Sequence, residues 1–147
     1  MPDAMHLRRL ERMFNIAPIN QDLIKGATLD VGQGCAELHL KMRSEFYHAA
    51  MSLHGAIYFK LLDDAAYFAA ASREEEFFLL TKSYQIQFKR PVTGGELRAR
   101  GELVSSEGTE WIAKSELINE HGKQVAAGEG VFVKSRLLLK DQLGYSS

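Results

Sequence analysis

The sequence predicts an α+β domain in which one antiparallel β-sheet wraps around a long, mostly apolar central helix. Three observations carry this. Between residues 51 and 72, Leu53, Ile57, Leu61, Ala65 and Phe68 recur three or four apart with no proline between them. Tyr58, Leu62, Ala66, Ala69 and Ala70 spread the apolar surface around most of that helix, which must therefore be enclosed. After it the helical period stops. Residues 78–88, 96–104, 109–118 and 124–133 carry alternating or β-branched runs, punctuated by Gly94-Gly95, Ser105-Ser106-Glu107-Gly108 and Asn119-Glu120-His121-Gly122. A strand, a long helix and then a meander of strands is the order of a sheet with helices segregated to one face.

The remaining elements follow in chain order. Leu7, Leu10, Met13 and Phe14 recur at helical spacing while Arg8, Arg9, Glu11 and Arg12 fill the other face, which predicts a short N-terminal helix over 5–14 acting as a lid. Ala36, Leu38, Leu40 and Met42 alternate with Glu37, His39 and Lys41, a strand preceded by a hairpin-like bend at Gly32-Gln33-Gly34. Trp111, Ile86 and Phe132 have neighbours that are not uniformly polar, so the outer face of the sheet is expected to need covering, with oligomerisation as the cover.

Composition narrows the function classes. The chain has 147 residues, 46% of them hydrophobic, and a formal charge of −1 from 18 basic and 19 acidic side chains. This is the size of a single domain spanning 1–147, with no overall field for nucleic acid or an anionic membrane. Cys35 is the sole cysteine and cannot form an internal disulfide, which fits a reducing cytoplasm. The opening MPDAMHLRRLERMF has mixed charge rather than the pattern of a signal peptide, and no run approaches the ~20 apolar residues of a membrane span. The expected location is cytoplasmic. His6, His39, His48 and His121 show no metal-ligand spacing, so no metal is assigned. No nucleophile elbow, phosphate loop or dinucleotide fingerprint occurs.

The chemistry concentrates where the chain enters the central helix, in the run LHGAIYFKLLDDAA beginning at Leu53. A helix N-terminus presents unsatisfied N–H groups and the positive end of the dipole, and Gly55 permits close approach, so a carbonyl oxygen can be polarised there by Gly55 or Ala56. Asp63 follows His54 by nine residues and falls among Phe59, Ala66 and Ala70 on the helix surface. A carboxylate in that setting either pairs with another chain element or faces a cleft. Asp64 meets Lys60 at i, i+4 and reads as a solvated pair. His54 reads first as a half-buried histidine holding a backbone carbonyl. The Glu74-Glu75-Glu76 run reads as solvated, and Lys89-Arg90 as an exposed strand end with a weak claim to a phosphate.

These residues resemble the hotdog-fold acyl-CoA thioesterases, in the group of PaaI-like and thioesterase superfamily member 2-like proteins that also contains one type of 4-hydroxybenzoyl-CoA thioesterase. The family's His-Gly-Gly opening, helix, and Asp or Glu nine residues after the His correspond to His54-Gly55-Ala56 and Asp63. The likeness continues through Thr81, Lys89-Arg90-Pro91 and Gly95-Glu96-Leu97 to residues 122–133, and covers roughly 38–134. It implies a homodimer with a continuous sheet, assembling further into a dimer of dimers, with each active site at the subunit interface. It implies hydrolysis of an acyl-CoA thioester with no cofactor beyond the coenzyme A of the substrate. The helix mouth of one chain at Gly55 and Ala56 would hold the carbonyl, while Asp63 of the partner attacks it or activates water, and Thr81 helps position that water.

Two positions depart from the family pattern. Ala56 replaces the second glycine, and His48 stands where relatives often place Asn. Tyr58, Phe59, Tyr67 and Phe88 are the expected lining of the acyl site, with Lys89 and Arg90 toward the nucleotide. The alternative from another class is a non-catalytic acyl-CoA or fatty-acyl binding module on the same fold.

Overall fold

The structure, a computed structural model, describes residues 3–146. Its elements are α1 (Ala4–Ile16), α2 (Pro18–Asp22), β1 (Thr28–Gly32), β2 (Cys35–Lys41), α3 (Gly55–Ala71), β3 (Phe77–Phe88), β4 (Glu96–Ser105), β5 (Glu110–Ile118) and β6 (Gln124–Leu138). The six strands form one antiparallel sheet in the order β1-β2-β4-β5-β6-β3, folded around α3 in the hotdog manner.

Helix α3 can sit against the sheet because both surfaces are built from small residues. It turns Leu62, Ala65, Ala66, Ala69 and Ala70 inward, each fully buried. Toward it the sheet presents Ala99 and Gly101 of β4, Ala113 and Ser115 of β5, and Gly128 and Gly130 of β6. The approach is closest at Gly101, where a Cβ would stand 2.0 Å from the Ala65 carbonyl oxygen. The ring of Tyr84 lies over Gly128 and Gly130, and its hydroxyl and that of Ser115 both donate to the Leu62 carbonyl, at 3.3 and 2.7 Å. Two strands, β3 and β5, thus hold the helix at the peptide unit that leads into Asp63.

The structure changes four sequence expectations. The bend before β2 is itself a strand, β1, because Leu29 and Val31 continue the alternation across the Gly32–Gly34 turn. Only β4, β5 and β6 form a meander; β3 lies at the far edge beside β6. Helix α1 is no detachable lid, since Leu7, Leu10, Met13 and Phe14 are buried and Phe14 meets Phe68 edge to face. Trp111, Phe132 and Ile86 point toward the helix, and the outer face carries Glu37, Arg98, Arg100, Glu102, Lys114 and Glu116. The apolar side chains that suggested a cover thus face the helix.

The two sheet edges differ. β1 is closed by α1, whose Arg8 donates to the Val31 carbonyl at 2.7 Å while Glu11 accepts from the Val31 N–H at 2.8 Å. β3 pairs only with β6, so its other edge has no partner among the described residues, and Leu80 and Phe88 are exposed along it. A long open edge of this kind is a template for strand addition. For the core, Gly101→Val should destabilise the fold by more than ~3 kcal/mol through overpacking against the Ala65 carbonyl, measured by urea denaturation; a loss under ~1 kcal/mol would contradict this packing.

Candidate active site

The helix mouth is set by His54. It is the N-cap of α3, and its Nδ1 accepts the Ala56 N–H at 2.9 Å. Met51 adopts a positive φ of 64° inside the turn before the helix, which starts at Gly55, four residues later than the apolar periodicity suggests. Of the two amides expected to receive a carbonyl, that of Ala56 is occupied by the His54 ring. Gly55 N–H has no acceptor among the described residues, and it opens onto a groove of about 380 Å³ lined by His48, Ser52, Tyr58, Phe88, Lys89 and Arg90. A Cβ at Gly55 would meet the Phe88 ring at an ordinary 3.6 Å, so the open Cα leaves room for an approaching oxygen.

Asp63 lies two turns further along α3, half-buried beside β3. Its Oδ1 accepts from Thr81 Oγ1 at 3.0 Å. Thr81 reaches it because of a bulge: Leu79 and Thr81 face the helix on odd positions, the pairing with β6 slips between Thr81 and Ser83, and Tyr84 and Ile86 then face it on even ones. Burial pushes the Asp63 carboxyl from 3.8 up to about 6, helped by the neighbouring Asp64 charge and opposed by the Thr81 hydroxyl and Lys60.

Asp64 takes the opposite solution. It is enclosed rather than solvated, with Lys60 Nζ 2.6 Å from its Oδ2 and both side chains under one fifth exposed. Burial raises its carboxyl while the Lys60 ammonium draws it down. Adjacent carboxylates on one helix are thus divided into a paired structural acid and an unpaired one facing the open edge.

The other expected residues separate by location. Tyr58 is buried, donates to the Arg90 carbonyl at 2.7 Å and meets Phe88 edge to face at 5.1 Å, which fixes the wall of the groove. Phe59 is exposed beside Tyr84, on the same side as Asp63. Tyr67 belongs to the core: it is buried among Phe68, Phe78 and Phe132, and its hydroxyl donates to the Leu79 carbonyl at 2.8 Å. Lys89 is bonded to Gln124, and the side chain of Arg90 is exposed at the groove rim. His48 has both ring nitrogens engaged, by Ala50 N–H at 3.1 Å and Ser52 Oγ at 3.0 Å. Sequence reading missed Ser52, Tyr84 and Ser115, whose partners are distant or local side chains with no periodic signature. Glu74, read as solvated, is buried and accepts from the Glu76 and Phe77 N–H groups.

No group of three or more His, Cys, Asp and Glu side chains suited to a metal occurs among the described residues, and no helix there is long and apolar enough to cross a membrane.

Comparison with known proteins places this geometry. No curated protein matches the sequence. Among solved structures, the Escherichia coli PaaI protein from the phenylacetic acid degradation operon superposes with a TM-score of 0.81 at 19% identity, covering 94% of this chain and 99% of that one. Zebra fish thioesterase superfamily member 2 gives 0.78 at 16% identity, covering 88% and 98%. A conserved protein of Pseudomonas aeruginosa gives 0.75 at 24% identity, covering 84% and 97%. These likenesses show the fold. The sequence profile of the thioesterase superfamily matches residues 51–126, more than half of the chain, from the loop before the helix mouth through β6's first residues, and the chain belongs to that superfamily.

Proposed function

We propose that the protein hydrolyses an acyl-CoA thioester in an active site shared by two copies of the chain. Asp63 serves as general base and Gly55 N–H of the partner copy polarises the carbonyl. The observation that carries this is Asp63 itself: a carboxyl raised to about 6, held by Thr81 and turned toward the unpaired edge of β3. Eight residues of helix separate Gly55 from Asp63, about 12 Å at ~1.5 Å per residue, so one chain cannot bring both to a single carbonyl. Two copies joined along β3 would supply the missing half of each site.

The chemistry follows from the placement. An ordinary aspartate is a weak base toward water, whereas one raised to about 6 is ionised at neutral pH and accepts a proton more readily. That favours water activation over direct attack by the carboxylate. Thr81 orients the Asp63 carboxylate, and the neighbouring Phe59 excludes bulk water from one side. As negative charge develops on the thioester oxygen, the Gly55 N–H strengthens its hydrogen bond, a contribution of the order of ~2.7–4 kcal/mol for one well-aimed donor. Neither histidine at the helix mouth competes for the role of base. Nδ1 of each accepts a backbone N–H, so in the neutral ring the proton sits on Nε2. Lys89 and Arg90 at the groove rim suit the phosphates of coenzyme A.

Three outcomes test this. Thiol release from a panel of aromatic and medium-chain acyl-CoAs should be detectable with the wild-type chain, and Asp63→Asn should cut it at least about a hundredfold. Binding without thiol release would instead support a non-catalytic acyl-CoA module. The pH profile of kcat/KM should rise and level off above about 6 as Asp63 ionises; a flat profile between pH 5 and 8, within the range of ordinary assays, would contradict a base of that pKa. Stability should move the other way. Because the folded-state pKa lies above 3.8, ionised Asp63 costs stability above about pH 6, and the cost vanishes as pH falls below 3.8. Asp63→Asn should therefore be more stable than wild type at neutral pH by roughly 1–3 kcal/mol, with the two converging near pH 4. Equal melting temperatures at neutral pH would refute the burial argument.

A further inference from the structure

The loop before α3 contains a hydroxyl that the mechanism above does not use. Residues 48–53 form a tight turn closed by His48 N–H to the Ser52 carbonyl at 3.0 Å, by Met51 N–H to the His48 carbonyl at 2.8 Å, and by a bridge between Tyr47 and Leu53. Inside it the His48 ring is held at both ends. Nδ1 accepts the Ala50 N–H at 3.1 Å, so the neutral ring carries its proton on Nε2, which stands 3.0 Å from Ser52 Oγ. The imidazole therefore donates to Ser52. The serine cannot return its own proton to that nitrogen, and that proton has no acceptor among the described residues.

Beside the groove, His54 Nδ1 accepts the Ala56 N–H, which leaves Nε2–H of the neutral ring as a donor. Among the described residues the Gly55 N–H has no acceptor and no carboxylate lines the groove, while the Tyr58 hydroxyl is committed to the Arg90 carbonyl. The Ser52 hydroxyl proton and the Gly55 N–H are both donors on this groove, and a ligand atom that matches them is an oxygen acceptor.

We propose that Ser52 is a second catalytic hydrogen-bond donor to the thioester carbonyl, beside Gly55 N–H, and that His48 is the positioning residue that turns the Ser52 proton outward. This deepens the thioesterase reading and rests on it. The arrangement also excludes the nearest alternative chemistry, a Ser–His nucleophile. A base must receive the serine proton on a free imidazole nitrogen, and here the nitrogen facing Ser52 is the protonated one.

The test uses steady-state kinetics of the full chain on acyl-CoA, with Asp63→Asn run alongside. Ser52→Ala should lower kcat by about 10- to 100-fold with KM within about threefold of wild type, the pattern of an interaction that strengthens in the transition state. Its melting temperature should be unchanged, because the three backbone closures of the loop remain. Ser52→Thr, which keeps the hydroxyl, should recover most of the rate. His48→Ala should lose rate as Ser52→Ala does, and the double variant should be no slower than Ser52→Ala alone, since His48 acts through Ser52. Wild-type kcat in Ser52→Ala, while Asp63→Asn is impaired, would overturn this inference and leave the thioesterase reading standing. A lowered melting temperature that accounts for the lost rate, or additive losses in the double variant, would also overturn it. Wild-type turnover by Asp63→Asn, or no thiol release by the wild-type chain, would overturn both.

Discussion

One rigid helix carries two chemically complementary features that cannot meet. Its N-terminus offers an uncommitted amide at Gly55, and Asp63 offers an unpaired carboxyl about 12 Å along the axis by the rise of an α-helix. Packing makes that separation fixed. Gly101 admits no side chain between α3 and the sheet, and Ser115 and Tyr84 bind the Leu62 carbonyl, so neither end can bend toward the other. In the proposed mechanism a second copy unites amide and acid. The fold leaves a place for one: α1 side chains close the β1 edge, while the β3 edge beside Thr81 stays open.

The electrostatics of α3 show how a costly carboxylate is kept available. Asp63 and Asp64 are neighbours, both withdrawn from water. Asp64 is stabilised by Lys60 one turn before it, and breaking such an enclosed pair typically costs ~3–5 kcal/mol, which makes it part of the scaffold. Asp63 has no ion-pair partner of its own, and burial raises its basicity against the weaker opposing pull of the Thr81 hydroxyl and Lys60. The stability given up by burying it without a paired cation is the physical source of the basicity on which the proposed mechanism draws. At the helix mouth the logic is reversed. His48 and His54 each accept a backbone amide through Nδ1, which in the neutral rings places the proton on Nε2.

Much of this architecture is legible in the sequence, for definable reasons. The all-round apolar character of residues 57–70 identifies a buried helix because no other element has that period and that breadth. His54, Gly55 and Asp63 stand out because a capping residue, a glycine and an acid occur where an enclosed helix would not otherwise want them. Periodicity assigns a face, however, and says nothing of which strand is the neighbour. The position of β3 at the far edge is therefore invisible in the sequence, as is the bulge that turns Thr81 toward Asp63. Tyr67 reads as a lining residue from its helical position, yet Phe78 and Phe132 enclose it once the sheet closes. Ser52 gives no signal at all, since its role depends on which nitrogen of His48 carries a proton, and that is set by the amide of Ala50.

The most direct test of a site completed by two chains is subunit complementation. An Asp63→Ala chain lacks the acid, and a Gly55→Val chain has a blocked helix mouth, so each alone should be inactive. Random mixing leaves about half of the dimers with one chain of each kind, and one of the two sites in such a dimer has both parts intact. Recovery of about a quarter of wild-type turnover on mixing is the predicted result. Mixed dimers that form but remain as inactive as the parents would contradict the account.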